Sequence, residues 1–211
     1  MPNNTTGAGS GASQHDDAQT RVLRFLWSSR AEWSGREIAR KAGLSAPSCH
    51  ETLKRLDARG FVEFRRVSNV HLYKINSENY LVQNVFVHRF VAEVALPQQI
   101  AIAVKKALVE SPQGGIISLV LFGSMARGTH QIGSDLDLLV VIRAKEERKA
   151  VEPRIERLRD FLFRRFSVPL SPYIQTRLEL RRKHHGKLAL IGEILRDGRT
   201  IYGKDIKELL A

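Results

Sequence analysis

The chain has 211 residues, 43% of them hydrophobic, which is enough for one large domain or two small ones with separate cores. Its formal net charge of +12, from 34 Lys and Arg against 22 Asp and Glu, favours a polyanionic partner, although a solvated basic surface is the alternative. The single cysteine, Cys49, excludes an intrachain disulfide, and no apolar run approaches the ~20 residues of a membrane span, so the composition predicts a soluble cytoplasmic protein without a membrane partner.

Residues 1–17 form a predicted disordered tail that is rich in Asn, Thr, Gly, Ser and Asp. The tail has neither the basic stretch nor the apolar stretch of a signal peptide. From Ala18 the pattern changes to a dense apolar helix, which ends at the polar residues 28–30. This helix opens the first predicted domain, over residues 18–77.

Capping residues predict two further helices. Ser34, with Glu37 three positions later, forms a capping box, and the short helix that it begins ends at Gly43. Ser45 is the predicted cap of the next helix. In that helix the residues expected to share one buried face are Cys49, Leu53 and Leu56.

Two strand-like runs come next, over residues 61–66 and 70–75, with a turn between them. Three helices followed by a hairpin resemble a winged helix-turn-helix. The wording of residues 34–45 resembles that family's helix-turn-helix, and the wording of residues 53–62 resembles its recognition helix running into the wing.

This resemblance implies DNA binding through the exposed face of the third helix, which would enter a major groove. The residues predicted on that face are Pro47, Ser48, Glu51, Lys54 and Arg55. On the hairpin, Arg65 and Arg66 are placed to meet phosphates, as are Arg36 and Arg40 on the second helix. The alternative is a winged domain that binds protein or has only a structural role.

Residues 78–111 are predicted to form a helical connector. The segment is strongly apolar, and Pro97 is expected to break it, so that residues 100–109 form a separate amphipathic helix. Helices this apolar need to pack against the following domain or a partner subunit. Because winged-helix proteins often bind two-fold DNA sites as dimers, a homodimer is one hypothesis.

The last segment, residues 112–211, opens with a nearly continuous apolar run, Ile116–Phe122, typical of a strand buried on both faces. Gly123 and Ser124 follow it. Glycine lets the backbone approach a phosphate closely, serine adds a hydroxyl donor, and a helix predicted to start at Met125 would offer its positive end to an anion.

Beyond a short loop, Asp135 and Asp137 precede another apolar strand. The two-residue period of a strand places both carboxylates on one face, with Leu136 and Leu138 on the other. Two neighbouring negative charges are unfavourable unless a cation lies between them. Mg²⁺ suits such a site, because it takes one or two carboxylates and completes its shell with phosphates and water.

The wording Gly-Ser-x-Ala-Arg-Gly followed by Ser-Asp-Leu-Asp-Leu resembles that of the minimal nucleotidyltransferases, in the superfamily typified by DNA polymerase beta. Either motif alone would be weak, but both together between two apolar strands are specific. The resemblance implies that Asp135 and Asp137 are catalytic and hold Mg²⁺ (or Mn²⁺), while Gly123 and Ser124 hold the triphosphate of a nucleoside triphosphate. Arg127 could bind phosphate as well, or form an ion pair instead.

Catalytic members of that superfamily add a third carboxylate on a later strand, as the base for the attacking hydroxyl. Here the corresponding strand is expected within residues 168–176, which contain two prolines and no Asp or Glu. Glu179 is the first acid afterwards, and it is expected in the next helix. General-base catalysis is therefore in doubt. The chain's end, a helix followed by a short extended piece with Tyr-Gly, again resembles the minimal enzymes.

The predicted fold class is α+β, with an N-terminal winged helix-turn-helix, a helical connector and a C-terminal mixed β-sheet flanked by helices. Three functions stay open. The first is a DNA-binding enzyme that transfers a nucleoside monophosphate to an acceptor. The second is a transcriptional regulator whose degenerate transferase domain only binds nucleotide or supports dimerisation. The third resembles an antitoxin-like transferase that acts on a partner protein.

Overall fold

The computed structural model describes residues 17–110, 115–128 and 133–210. The chain divides into two compact units, Met1–Val94 and Ala95–Ala211. The predicted N-terminal tail, except for its last residue, lies outside the described residues. Within the described part of the chain, no helix is both long enough and apolar enough to cross a membrane.

The first unit is a small helical bundle with a three-stranded antiparallel sheet in the order β1-β3-β2. Its elements are helix α1 (Ala18–Ser29), strand β1 (Trp33–Ser34), helices α2 (Gly35–Ala42) and α3 (Ala46–Ala58), strands β2 (Val62–Val67) and β3 (Val70–Ile75), and a π-helical segment (Val82–Val87). The order of elements is that of a winged helix-turn-helix, as the sequence predicts.

Local capping explains why these helices begin where they do. Asp17 accepts a 2.7 Å hydrogen bond from the backbone N–H of Thr20 at the start of α1. Both hydrogen bonds of the predicted Ser34–Glu37 capping box are present, and Ser45 caps α3. The buried face of α3 also matches the prediction, because Cys49, Leu53 and Leu56 are at most 1% exposed.

Helix α4 (His88–Leu108) corrects one prediction, since it continues through Pro97 instead of breaking there. A proline inside a helix removes one backbone hydrogen bond and costs about 3 kcal/mol. Each half of α4 is anchored separately. Phe90 is fully buried in the core of the first unit, and Ile100, Val104 and Leu108 are buried in a core of the second. The burial of these four apolar side chains offsets the cost of the proline in the helix.

The second unit is a four-stranded mixed sheet with helices on both faces. Its elements after α4 are strand β4 (Ile116–Phe122), helix α5 (Gly123–Arg127), strand β5 (Leu136–Ile142), helix α6 (Arg148–Phe166), strand β6 (Leu170–Thr176), helices α7 (Arg177–His185) and α8 (Ala189–Asp197), strand β7 (Arg199–Gly203) and helix α9 (Ile206–Leu210). This architecture confirms the predicted α+β class.

Strand order in this sheet is β6-β5-β4-β7. β5 and β6 are parallel and joined by α6, whereas β4 is antiparallel to both of its neighbours. One face of the sheet packs against α4 and α6, and the other packs against α7, α8 and α9. As expected from its two prolines, β6 is an edge strand among the described residues.

Candidate functional site

Strand register brings three distant parts of the sequence together at one end of the sheet. Asp137 pairs with Phe122, the last residue of β4, and on its other side with Ser171, the second residue of β6. Asp135 lies two residues before Asp137, just ahead of β5. The Gly-Ser turn, the Asp pair and the start of β6 are therefore neighbours, although they are far apart in sequence.

Side-chain alternation along β5 separates acidic from apolar residues. Leu136 and Leu138 are fully buried in the core shared with α4 and α6, whereas Leu139 is buried in the core on the opposite face. Because alternate residues share a face, Asp137 lies on the face that carries α7 and α8. Asp135, on the same face by the same period, is exposed.

Glycine is required at position 123 for two reasons. Its φ of +70° is in the left-handed region that disfavours other residues. A Cβ built on Gly123 would also lie 3.0 Å from Cγ of Asp137 and closer still to its Oδ2. The carboxylate of Asp137 thus occupies the space that a side chain at position 123 would need, and the turn and the acid form one site.

The pKa of Asp137 reflects its burial and the charged groups around it. Burial raises the pKa of the Asp137 carboxyl above its ordinary value, and the negative charge of Asp135 raises it further. Arg127 opposes the shift, and Glu193 on α8 adds to it. A divalent cation between the two aspartates would remove the repulsion that these charges create.

The donor set fits Mg²⁺ rather than a softer metal. It consists of two carboxylates with a serine hydroxyl beside them, and hard cations prefer oxygen ligands. Among the described residues, no group of three or more His, Cys, Asp or Glu is arranged to hold a metal. His184 and His185 on α7 therefore form no such group. A cation held by Asp135 and Asp137 would take its other ligands from phosphate and water.

Ser171 is the residue of this site that the sequence reasoning missed. Its hydroxyl donates a 3.1 Å hydrogen bond to Oδ2 of Asp135. The sequence of residues 168–176 shows that the strand lacks an acid, but only the β5–β6 register identifies which residue lies beside Asp137. A serine can orient a carboxylate, but it is a far weaker base than one.

Glu179 has a structural role in α7. Its carboxylate accepts hydrogen bonds from the backbone N–H and the hydroxyl of Thr176, in a capping box at the start of the helix. Arg148 lies 3.5 Å away as an ion-pair partner. The hydrogen bonds from Thr176 hold the pKa of Glu179 below its ordinary range, and Arg148 contributes to the same shift. The acid lies in the helix after β6, as predicted.

Two further parts of the phosphate prediction look different in the structure. Helix α5 has only five residues, so the favourable field at its N-terminus is smaller than a full-length helix would give. Arg127 forms an ion pair with Asp197, with 3.2 Å between Nη1 and Oδ2. This ion pair is the alternative role given to Arg127 from the sequence, and it joins α5 to the end of α8.

The candidate DNA-binding face of the first unit is solvent-exposed. Its α3 residues, Pro47, Ser48, Glu51, Lys54 and Arg55, are all exposed. On the wing, Arg65 forms a 2.6 Å ion pair with Glu32, and Arg66 donates a 2.9 Å hydrogen bond to the carbonyl of Ser68. The two wing arginines are exposed, but each already has a partner within the unit.

Cys49 is a core residue. It is fully buried and its thiol donates a 3.6 Å hydrogen bond to the carbonyl of Gly35. Burial raises the pKa of the Cys49 thiol, which disfavours the reactive thiolate. The sequence interpretation of this residue as a packing residue agrees with its position.

Positive charge is concentrated in the second unit. Residues 95–211 contain 21 Lys and Arg against 13 Asp and Glu, which gives +8 of the total of +12. The first unit therefore carries only +4. The polyanion argument from net charge applies to the second unit at least as strongly as to the first.

Family models match both parts of the chain. The sequence model of a family described as a nucleotidyltransferase domain matches residues 102–198, and that of a family described as an IclR helix-turn-helix domain matches residues 20–66. Both resemblances inferred from the sequence are confirmed. No curated protein matches the chain.

Solved structures similar to part of this chain include a transcription regulator and a winged helix-turn-helix DNA-binding domain. They include a mutant of Lactococcus lactis ZitR in apo form (18% identity, TM-score 0.34, 40% of this chain and 65% of that chain) and a homodimeric winged helix-turn-helix DNA-binding domain from Mycobacterium bovis (23%, 0.33, 40% and 74%). MepR from Staphylococcus aureus is similar over 39% of this chain and 64% of its own (15%, 0.33). The chain thus spans slightly less than two thirds of the ZitR chain.

Proposed function

We propose that this chain, which joins a winged helix-turn-helix domain to a nucleotidyltransferase domain, binds DNA through the first and transfers a nucleoside monophosphate from a nucleoside triphosphate through the second. In the reaction, an acceptor hydroxyl oxygen forms a bond to the α-phosphorus, and pyrophosphate leaves. The observation that carries the proposal is the fit of the Asp137 carboxylate into the space left by the missing side chain of Gly123.

Asp135 and Asp137 are the proposed ligands of Mg²⁺ or Mn²⁺, which when bound would neutralise phosphate charge and polarise the phosphorus. Gly123 lets the backbone approach the triphosphate, and Ser124 is the proposed hydroxyl donor to it. The hydrogen bond from Ser171 holds Asp135 in one orientation. These residues bind and orient the reactants. The proton of the acceptor hydroxyl would pass to water, where that hydroxyl is acidic, or to a base other than a β6 carboxylate.

The experiment that tests the transfer proposal uses the full chain with α-³²P-labelled ATP, CTP, GTP and UTP, Mg²⁺ and cell extract. We expect label to enter a macromolecular fraction with wild type and not with the double variant Asp135→Asn/Asp137→Asn. Protease or nuclease treatment of the labelled fraction distinguishes a protein acceptor from a nucleic acid. Absence of transfer above the double variant, with all four nucleotides, would contradict enzymatic activity.

A second candidate function is a regulator that binds nucleotide without turning it over. Ser171, at the position beside Asp137, favours this candidate because it leaves β6 without a carboxylate. The two candidates share the same binding site. If wild type binds nucleotide with Mg²⁺ but transfers no label, the regulator is supported. If wild type both binds nucleotide and transfers label, and the double variant does neither, the enzyme is supported.

For the first domain we propose binding of duplex DNA, with Lys54 and Arg55 of α3 contacting DNA in the major groove. The support is their exposure on the face opposite the buried Cys49, Leu53 and Leu56. Electrophoretic mobility shift with the DNA upstream of the chain's own coding sequence tests the proposal. Equal affinity of wild type and Lys54→Ala/Arg55→Ala would indicate that this face binds something other than DNA.

A homodimer is the assembly we propose for the DNA-bound form. The segment from Tyr80 to Val94 exposes several apolar side chains, with Val94 71% and Val85 52% exposed. Apolar side chains at this density on one segment are typical of surfaces covered by another protein chain. Light scattering coupled to size-exclusion chromatography gives the mass directly, and Val85→Asp/Val94→Asp is expected to convert a dimer into a monomer.

A further inference from the structure

A cavity of about 360 Å³ lies within the first unit, away from the α3 face assigned to DNA. Its walls come from the end of α1, the end of β3 and the π-helical segment. Most of its lining is apolar, including Leu26, Trp27, Ile75, Val82 and Val87. A cavity of this size accommodates a compact organic molecule.

Cationic groups also line the cavity, and they differ in their partners. Lys74 forms a 2.9 Å ion pair with Glu63 on the neighbouring strand. Arg30 is exposed, and across residues 17–110, 115–128 and 133–210 its guanidinium has no hydrogen bond or ion pair. Arg30 is therefore the cation available to an anionic ligand.

The polar wall of the cavity has its own support. The side-chain N–H of Gln83 donates a 2.5 Å hydrogen bond to the backbone carbonyl of Ser77, and both residues line the cavity. Because this amide N–H is already used within the protein, it does not compete with Arg30 for an anion. The remaining surface favours an apolar body with one negative end.

A π-helix and the capped end of α1 border the cavity on two sides. Residues Val82–Val87 form a π-helix, a rare conformation that occurs frequently at functional sites. Arg30 has a φ of +48°, the left-handed conformation that commonly ends a helix, and its backbone N–H donates a hydrogen bond to the carbonyl of Leu26 in α1. The residue that caps the end of α1 is thus also the cavity's available cation.

We propose that this cavity binds a small organic carboxylate, with its apolar body between Trp27 and the π-helix and its carboxylate on Arg30. The proposal does not depend on nucleotide transfer by the second unit. Since the walls belong to α1, β3 of the wing and the segment that leads into α4, an occupied cavity ties these elements together. The winged unit is then expected to be more stable when the ligand is bound.

Trp27 provides a direct reporter, because the chain has only two tryptophans and Trp27 lines the cavity. A Trp33→Phe background isolates its fluorescence. Titration of the full chain with benzoate is expected to give a saturable change in Trp27 emission and a rise in the melting temperature. Benzamide, which has the same shape without the charge, is expected to bind more weakly.

The variants separate charge from shape. Arg30→Gln should weaken benzoate binding by about fivefold or more, the loss expected when one charge-assisted hydrogen bond is removed, and leave benzamide unchanged. Ala31→Phe, at an exposed lining residue, should fill the cavity and abolish binding of both probes. Arg36→Gln removes an exposed cation that does not line the cavity, and it serves as the matched control.

Three outcomes would overturn the proposal. One is the absence of saturable benzoate binding by both fluorescence and calorimetry up to millimolar concentration. Another is equal binding of benzoate and benzamide, with no effect of Arg30→Gln. The third is binding that survives Ala31→Phe while that variant keeps the wild-type circular dichroism spectrum.

Discussion

The hydroxyl of Ser171 donates a 3.1 Å hydrogen bond to Oδ2 of Asp135, across the parallel pair of strands β5 and β6. The serine thus contacts one aspartate and lies beside the other in the sheet. Its replacement can therefore alter the orientation of Asp135 or add a charge beside Asp137. Neither change disturbs the buried core on the opposite face.

Two replacements of Ser171 test two separate points: whether its hydroxyl orients Asp135, and whether the lack of a carboxylate at this position limits label transfer. Ser171→Ala removes one exposed hydrogen bond and should weaken Mg²⁺-dependent nucleotide binding by about two- to fivefold. Ser171→Asp adds a third carboxylate beside Asp137 and should tighten metal binding and increase label transfer. Isothermal titration with a non-hydrolysable nucleotide measures the first effect and the α-³²P assay measures the second. Lower transfer by Ser171→Asp than by wild type would contradict this account of the site.

Gly123→Ala should abolish nucleotide binding, because its Cβ needs the space that the Asp137 carboxylate occupies. Gly128 is the matched control, since it has nearly the same φ, +71°, and no atom of the described residues lies within 4 Å of an added Cβ. Both substitutions should lower the free energy of unfolding by about 1–2 kcal/mol through backbone strain. Only Gly123→Ala should also lose Mg²⁺-dependent binding, as measured by titration at a temperature where both variants are folded. Equal nucleotide binding by the two variants would show that the Gly-Ser turn and the Asp pair do not form one site.

Glu179 predicts a pH dependence of stability for the second unit. Its pKa in the folded protein lies below its ordinary value because of the hydrogen bonds from Thr176 and the charge of Arg148. Such a group stabilises the fold fully above the unfolded glutamate pKa of about 4.3, and the contribution is lost as pH falls through the lower folded pKa. Wild type should therefore be more stable than Glu179→Gln at neutral pH.

Chemical denaturation of both proteins from neutral to acidic pH measures this difference. The two free energies of unfolding should converge in the window between the ordinary and the lowered pKa. Glu152→Gln, which alters an exposed acid of α6, is the control. A difference between wild type and Glu179→Gln that stays constant down to acid would assign the role of Glu179 to shape rather than charge.

Local rules account for what the sequence predicted well. The Ser34–Glu37 capping box depends on residues three positions apart, and the shared face of Asp135 and Asp137 follows from the period of a strand. Pro97 shows the limit of such rules, because burial of Phe90 and Ile100 on either side of it outweighs the local cost of the proline. Propensity is a weak guide where tertiary packing is strong.

Contacts between distant residues account for what the sequence could not predict. Ser171 and Asp135 are 36 positions apart, and Arg127 and Asp197 are 70 apart. Which residues meet is decided by strand register and helix packing, neither of which is visible in a single motif. The acid-free strand was visible in sequence, but the neighbour of Asp137 was not.

The last prediction concerns how much of the DNA affinity belongs to α3. Lys54→Ala/Arg55→Ala should weaken DNA binding, and the slope of log K against log salt concentration should fall by about one for each phosphate that the variant no longer neutralises. Arg65→Ala should have a smaller effect, because its charge is already paired with Glu32.

The control must remove equal charge elsewhere, since the second unit carries most of the positive excess. Arg164→Ala/Arg165→Ala does so at two exposed positions of α6. Fluorescence anisotropy with a labelled duplex at several salt concentrations gives both affinity and slope. If the α6 variant lowers the slope as much as the α3 variant, the affinity is a property of total charge and not of the winged helix. If only the α3 variant does, the third helix contacts the phosphates directly.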